Sequence, residues 1–160
     1  MMQLEDFKAA RSVLSGVIRP TPLVHSTAFS KTTENHVYIK PENLQVTGAY
    51  KIRGAYYKIS TLTQEEKDRG LVTASAGNHA QGVAYAAQHA GVSATVVMPT
   101  TTPLVKVNNT KDYGANVVLR GGHLRRRRRA GRPALRDGGL HLCPPLQRPG
   151  AGHRPGHHRL

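Results

Sequence analysis

Between Leu71 and Leu119 the sequence changes period four times. The runs Leu71–Ala74, Ala94–Met98 and Asn116–Leu119 are short and rich in valine, while the intervals from about Asn78 to His89 and from about Pro103 to Tyr113 have helical spacing. Strands that alternate with helices of this length join as parallel βαβ units with right-handed crossovers, and helices are expected on both faces of the sheet. Gly91 and Gly114 stand where left-handed C-caps are expected, and Pro103 where a first helical turn tolerates a missing N–H. Upstream, Leu4, Phe7, Val13, Leu14, Val17 and Ile18 keep near-helical spacing until Pro20 and Pro22 stop it. Val37–Lys40 is a short strand candidate ending at Pro41. A helix from Tyr50 to about Leu62 follows the turn at Gly48, and Thr63 with Glu66 has the order of a capping box that opens another.

This pattern ends at Gly122. Residues 1–122 carry 13 Lys and Arg against 8 Asp and Glu, whereas residues 123–160 carry 10 Arg and one acid, so most of the formal charge of +14 belongs to the tail. The tail has no Val, Ile, Phe, Tyr, Ser, Thr, Asn, Lys, Glu or Met. Such a segment has too little apolar surface to offset its ordering entropy and is expected to be disordered. Every residue type in it except Cys143 has a codon beginning with C or G, the signature of a GC-biased third position read as a first position. A shifted frame after about Gly122 explains this better than a genuine Arg-rich binding tail. Arg125 to Arg129 would bind polyanions in either case, so a basic nucleic-acid-binding protein is the rival reading from another class.

Other function classes lose support. No apolar run approaches the roughly 20 residues of a membrane span, and the N-terminus lacks the order of a signal peptide. The single cysteine, Cys143, excludes an internal disulfide framework, and a cytoplasmic location is expected. His153, His157 and His158 lie in the Gly/Pro/Arg tail without a scaffold for metal geometry, so no metal is expected.

Two runs carry chemistry. An amine that attacks an aldehyde must be unprotonated, which desolvation, neighbouring cations or a helix N-terminus favour. Lys51, in Thr47-Gly48-Ala49-Tyr50-Lys51-Ile52-Arg53-Gly54, has apolar neighbours, a nearby cation in Arg53 and a helix start. Spacing alone leaves open a solvated surface amine, as for any of the 8 lysines. The second run, Ser75-Ala76-Gly77-Asn78-His79-Ala80-Gln81-Gly82, leaves a strand and opens a helix, where backbone N–H groups and the dipole favour an anion. Its bland alternative is an Asn cap beside a Gly turn.

Together, and with Lys40-Pro-Glu-Asn-Leu-Gln45 upstream, the two runs resemble the pocket of the fold-type-II pyridoxal-phosphate lyases, closest to the catabolic-type threonine dehydratases (threonine ammonia-lyases), over roughly residues 4 to 121. Family members often have Ser-Phe where this chain has Ala49-Tyr50. The resemblance implies an α/β fold with a three-layer parallel or mixed sheet of the tryptophan synthase β-like class, truncated, ahead of a disordered tail. Residues 1–44 would belong to the large domain, 45–121 to the lysine segment and small domain, and 122–160 to the frame-shifted tail. It also implies that Lys51 is catalytic and binds pyridoxal 5'-phosphate together with Tyr50 and Asn78, and that Ser75, Ala76, Gly77, Asn78 and His79 hold the substrate carboxylate. The implied partner is a small amino acid, with no specific nucleic acid and no membrane, and intact members form homo-oligomers. The implied reaction converts L-threonine or L-serine to 2-oxobutanoate or pyruvate plus ammonia. A serine racemase or serine dehydratase of the same fold is the alternative. Complete members are about twice this length, so the chain itself is expected to be an inactive fragment. Read one base out of frame, the codons permitted from Leu142 allow FVHPFNDPALATGQGTIG, which is similar to the family's continuation.

Overall fold

The computed structural model describes residues 3–121 and 140–142. Helix α1 (Leu4–Leu14) leads to a small antiparallel ladder of β1 (Val24–His25) and β2 (Tyr38–Ile39) that encloses α2 (Thr27–Thr33). A single 3-10 turn, Glu42–Leu44, precedes α3 (Lys51–Ser60) and α4 (Gln64–Arg69). The main unit then runs β3 (Leu71–Ala74), α5 (Asn78–His89), β4 (Ala94–Met98), α6 (Leu104–Asp112) and β5 (Asn116–Leu119), with bounds close to those the periodicity predicts.

The local signals act as expected. The Thr63 hydroxyl accepts from the Glu66 N–H at 3.2 Å while the Glu66 carboxylate accepts from the Thr63 N–H at 2.9 Å, which closes the capping box. Gly91 and Gly114 adopt φ of 65° and 79° just past α5 and α6. Pro103 is the N-cap of α6 rather than its first residue. Elements β1, α2 and the 3-10 turn lie in the stretch the sequence left largely unassigned. They are short: β1 forms by pairing with β2, the Ser26 hydroxyl caps α2 by accepting from the Phe29 N–H, and Glu42 of the 3-10 turn is bound by Arg53.

Strands β3, β4 and β5 pair in parallel in spatial order β5-β4-β3, with Thr73 opposite Val96 and Val96 opposite Val117. Both crossovers step the same way across the sheet, so right-handed connections put α5 and α6 side by side on one face, where they touch. The expectation of helices on both faces is therefore met on one face by these two crossovers. The opposite face presents Val72, Thr95, Val97 and Val118, all half-buried. Strand β6 (Leu140–Leu142) pairs antiparallel with β3, Leu71 opposite Leu142. Three residues of a tail expected to be disordered thus form a strand, because the free edge of β3 offers a row of unpaired backbone groups. The rest of that expectation, and His153, His157, His158 and Cys143, lie outside the described residues.

Helix α5 is buried nearly all round, with Ala80, Gly82, Val83, Ala84, Ala86 and Ala87 enclosed. Small residues on several sides let it lie close to α3 as well as to the sheet. The resulting core joins Ile59 and Leu62 from the α3 end to Leu71, Val83, Val96, Met98 and Val107. No helix among the described residues is long and apolar enough to cross a membrane.

Candidate active site

The site begins with a backbone contact. A Cβ built on Gly82 would lie 3.2 Å from the Ile52 nitrogen and 3.3 Å from both the Ile52 Cα and the Lys51 carbonyl carbon. A glycine lets α5 come this near the first turn of α3, where any side chain would require the backbone to give by a few tenths of an ångström. Since His79 precedes Gly82 by three residues, it lies on the same face of α5, one turn nearer the helix N-terminus. The two runs singled out in the sequence are thereby held against each other.

Between them is an open groove of about 430 Å³ lined by Tyr50, Lys51, Arg53, Gly54, Ala55, Lys58, His79 and Val83. Lys51 is the first residue of α3 and is exposed, with Nζ 5.3 Å from the centre of the Tyr50 ring. That separation lies within cation–π range. Tyr50 is the N-cap of α3 and is 61 % exposed. Lys58 follows Lys51 by seven residues, two turns along one helix face, and that spacing was the sequence signal for its place in the groove.

His79 is half-buried, and its Nε2 is enclosed without a hydrogen-bond partner among the described residues. Burial, followed by the positive charge of Lys51, pushes its pKa below the usual 6.5. The imidazole is neutral in the groove at pH 7. Because the folded value is depressed, the stability His79 contributes is complete above pH 6.5 and is lost as pH falls through the folded value. The imidazole C2 proton of His79 should titrate below 6.5 by NMR, and Lys51→Met should move that midpoint upward. An unchanged midpoint in the variant would show that the two groups do not sense each other.

Ser75, Ala76, Gly77 and Asn78 are not among the groove-lining residues. They form the link from β3 into α5. The Ser75 N–H extends the sheet by donating to the Val97 carbonyl at 3.1 Å, and its hydroxyl accepts from the Gly77 N–H at 3.3 Å. The N–H groups of Ala76, Asn78 and His79 find no backbone acceptor among the described residues. Asn78, the first residue of α5, is exposed. Free donors at a helix N-terminus suit a carboxylate or a phosphate.

This donor set fits an aldehyde that also carries an anionic group. An accessible amine stands beside an aromatic ring, an unpartnered imidazole nitrogen and two further cations, and α5 supplies free N–H groups. A family model for pyridoxal-phosphate dependent enzymes matches residues 14–153, so the chain belongs to that family. The match runs past the point near Gly121 where the sequence resemblance was expected to stop.

Among curated relatives, an L-threonine ammonia-lyase from Thermotoga maritima is 53 % identical over 121 residues, covering 76 % of this chain and 30 % of the relative. A catabolic L-threonine dehydratase from Staphylococcus aureus is 42 % identical over 146 residues, covering 91 % and 42 %. The chain thus spans less than half the length of these relatives. Of solved structures, serine racemase from Dictyostelium discoideum superposes with a TM-score of 0.73 at 37 % identity, over 77 % of this chain and 40 % of that one. Threonine deaminase isoform 2 from Solanum lycopersicum gives 0.66 at 40 % identity, over 76 % and 35 %.

Proposed function

We propose that this chain supplies the lysine and carboxylate-loop portion of a threonine ammonia-lyase that acts on L-threonine and L-serine in the cytoplasm. The observation that supports the reading is the Gly82 contact, which packs α5 against the first turn of α3, with Lys51 and His79 both lining one groove and the 75–78 loop beside it. When bound, pyridoxal phosphate supplies the electron sink that weakens the substrate's Cα–H bond and lets the β-hydroxyl leave. Lys51 would hold the cofactor's aldehyde group, and its free amine would take the Cα proton on Nζ. The free N–H groups of Ala76, Asn78 and His79 would donate to the substrate carboxylate, which orients the Cα–H bond toward that amine. Asn78, through its polar side chain, and Tyr50, through its ring, would help hold the cofactor. The products are ammonia with 2-oxobutanoate or pyruvate.

A second reading, serine racemase, is favoured by the superposition on that enzyme and would use the same lysine and loop. Formation of D-serine from L-serine distinguishes the two.

The test is to incubate purified chain with pyridoxal phosphate, reduce with borohydride and map the labelled lysine. Label on Lys51 that is lost when L-threonine is added before reduction supports the reading, and label spread evenly over the exposed lysines sinks it. Lys51 is exposed and its groove open, so the described residues do not exclude water from the amine. Keto-acid release by this chain alone is therefore expected to match free cofactor.

A further inference from the structure

The segment Lys40-Pro-Glu-Asn-Leu-Gln45 resembles its family counterpart, yet nothing in the reaction uses it. In the structure it forms one polar lattice with the N-terminal strap and with α3. Glu42 accepts from Arg53 at both oxygens, Nε to Oε2 at 2.9 Å and Nη2 to Oε1 at 2.8 Å. The Thr21 hydroxyl donates to Glu42 Oε1 at 2.6 Å and accepts from Arg53 Nη2 at 3.1 Å. Lys40 Nζ reaches the Thr21 carbonyl at 2.6 Å and stands 3.8 Å from the same carboxylate. The buried Gln45 side chain closes the other end, accepting from the Arg19 N–H at 2.8 Å and donating to the Arg19 carbonyl at 3.0 Å.

Arg53 lies in the first turn of α3, two residues after Lys51. Residues two apart on a helix point about 200° from one another. The fork on Glu42 therefore holds that turn on one side, while Ile52, fully buried, and the Gly82 contact hold it on another. A turn restrained from two directions cannot roll about its axis, and the direction of the Lys51 side chain is set with it.

We infer that Glu42 is a positioning residue for Lys51: through Arg53 and Thr21 it fixes the rotation of the first turn of α3 and so aims the amine into the groove. This inference rests on the reading of Lys51 as the cofactor lysine. The strength of the fork is consistent with it. The hydrogen bonds from Arg53, aided by the Thr21 hydroxyl and the charges of Arg53 and Lys40, hold the Glu42 carboxyl down at about 2 against the opposing effect of burial. The fork is thus complete above pH 4.5 and weakens only as pH falls toward 2.

The test uses Glu42→Gln, which keeps the side-chain shape and removes its charge at a position outside the groove. Two quantities are read on the full chain. One is amide hydrogen exchange in residues 51–54 relative to α5, without cofactor. The other is the ratio of borohydride-trapped pyridoxal phosphate on Lys51 to that on Lys58, two turns along the same face. Loss of a charged fork should speed exchange in the first turn of α3 about tenfold with α5 unchanged, and lower the trapping ratio about tenfold. Equal acceleration in α3 and α5, or exchange unchanged in both, overturns the positioning role. Should Glu42→Gln fail to fold, Thr21→Val removes two hydrogen bonds of the lattice and is read in the same way, with about a threefold effect expected. If wild-type Lys51 takes no label while exchange responds as stated, the lyase reading fails and the restraint on the turn stands.

Discussion

Lys51→Ala should abolish cofactor trapping at position 51 and leave the fold intact. The wild-type chain is expected to carry about one reducible adduct, because a carbonyl reagent bound in the groove meets this amine beside Tyr50 and His79. Lys58 stays available in the variant, so label on Lys58 serves as the internal reference. The substituted side chain is exposed, and its removal should change stability by no more than about 0.5 kcal/mol. If Lys51 holds the cofactor and moves the Cα proton as proposed, its loss from an intact enzyme containing this segment should lower turnover by about a thousandfold or more. Peptide mapping after borohydride reduction, read beside a thermal melt, checks both halves. Total label in the variant equal to the total in the wild type would refute the assignment.

Gly82→Val should be the most damaging small substitution in the site. The atoms a new Cβ would meet are backbone, at 3.2 to 3.3 Å, and backbone in a first helical turn cannot swing aside as a flexible side chain can. Valine adds two methyl groups to that clash. Overpacking of this kind costs about 3 kcal/mol, or roughly 10 to 20 °C in melting temperature for a unit of this size. The separation of α5 from α3 would also carry His79 away from Lys51, so trapping at Lys51 should fall alongside stability. Gly54→Ala is the control. Nothing lies within 4 Å of a Cβ built there, and replacing a glycine inside a helix should stabilise by about 0.5 to 1 kcal/mol. Two glycines 28 positions apart thus respond with opposite signs, and a melt of both variants decides it.

Much of the fold was legible because its signals are local. Leu71–Ala74, Asn78–His89 and Ala94–Met98 show their periods directly, and the Thr63 cap and the turns at Gly91 and Gly114 follow from side-chain and backbone chemistry within a few residues. The two-residue strand Val24–His25 carries no period of its own and forms by pairing with Tyr38–Ile39, which lies within the strand candidate Val37–Lys40. Strand Leu140–Leu142 lies in a segment whose composition argues against structure. It forms where the edge of β3 offers partners, and that edge is not a property of the tail.

The candidate site divides in the same way. Lys51, Tyr50 and the run from Ser75 to His79 could be named from the sequence through the family resemblance of the two runs, since residue type and spacing alone leave a surface lysine and an Asn cap open. Their meeting could not be named, since Gly82 reads in one dimension as a small residue in a helix and shows its purpose only against the backbone of Ile52. Arg53 read as a loose neighbouring cation, and the structure binds it to Glu42 and Thr21, 11 and 32 residues away. The loop residues Ser75 to Asn78 stand beside the groove instead of lining it, leaving His79 as the one member of that run inside. By itself the sequence determined which groups are present and which elements carry them, because residue identity and short-range periodicity are properties of neighbours along the chain. Only the tertiary structure decided which groups face one another, because close backbone approach and charge pairing depend on distances through space that sequence separation does not encode.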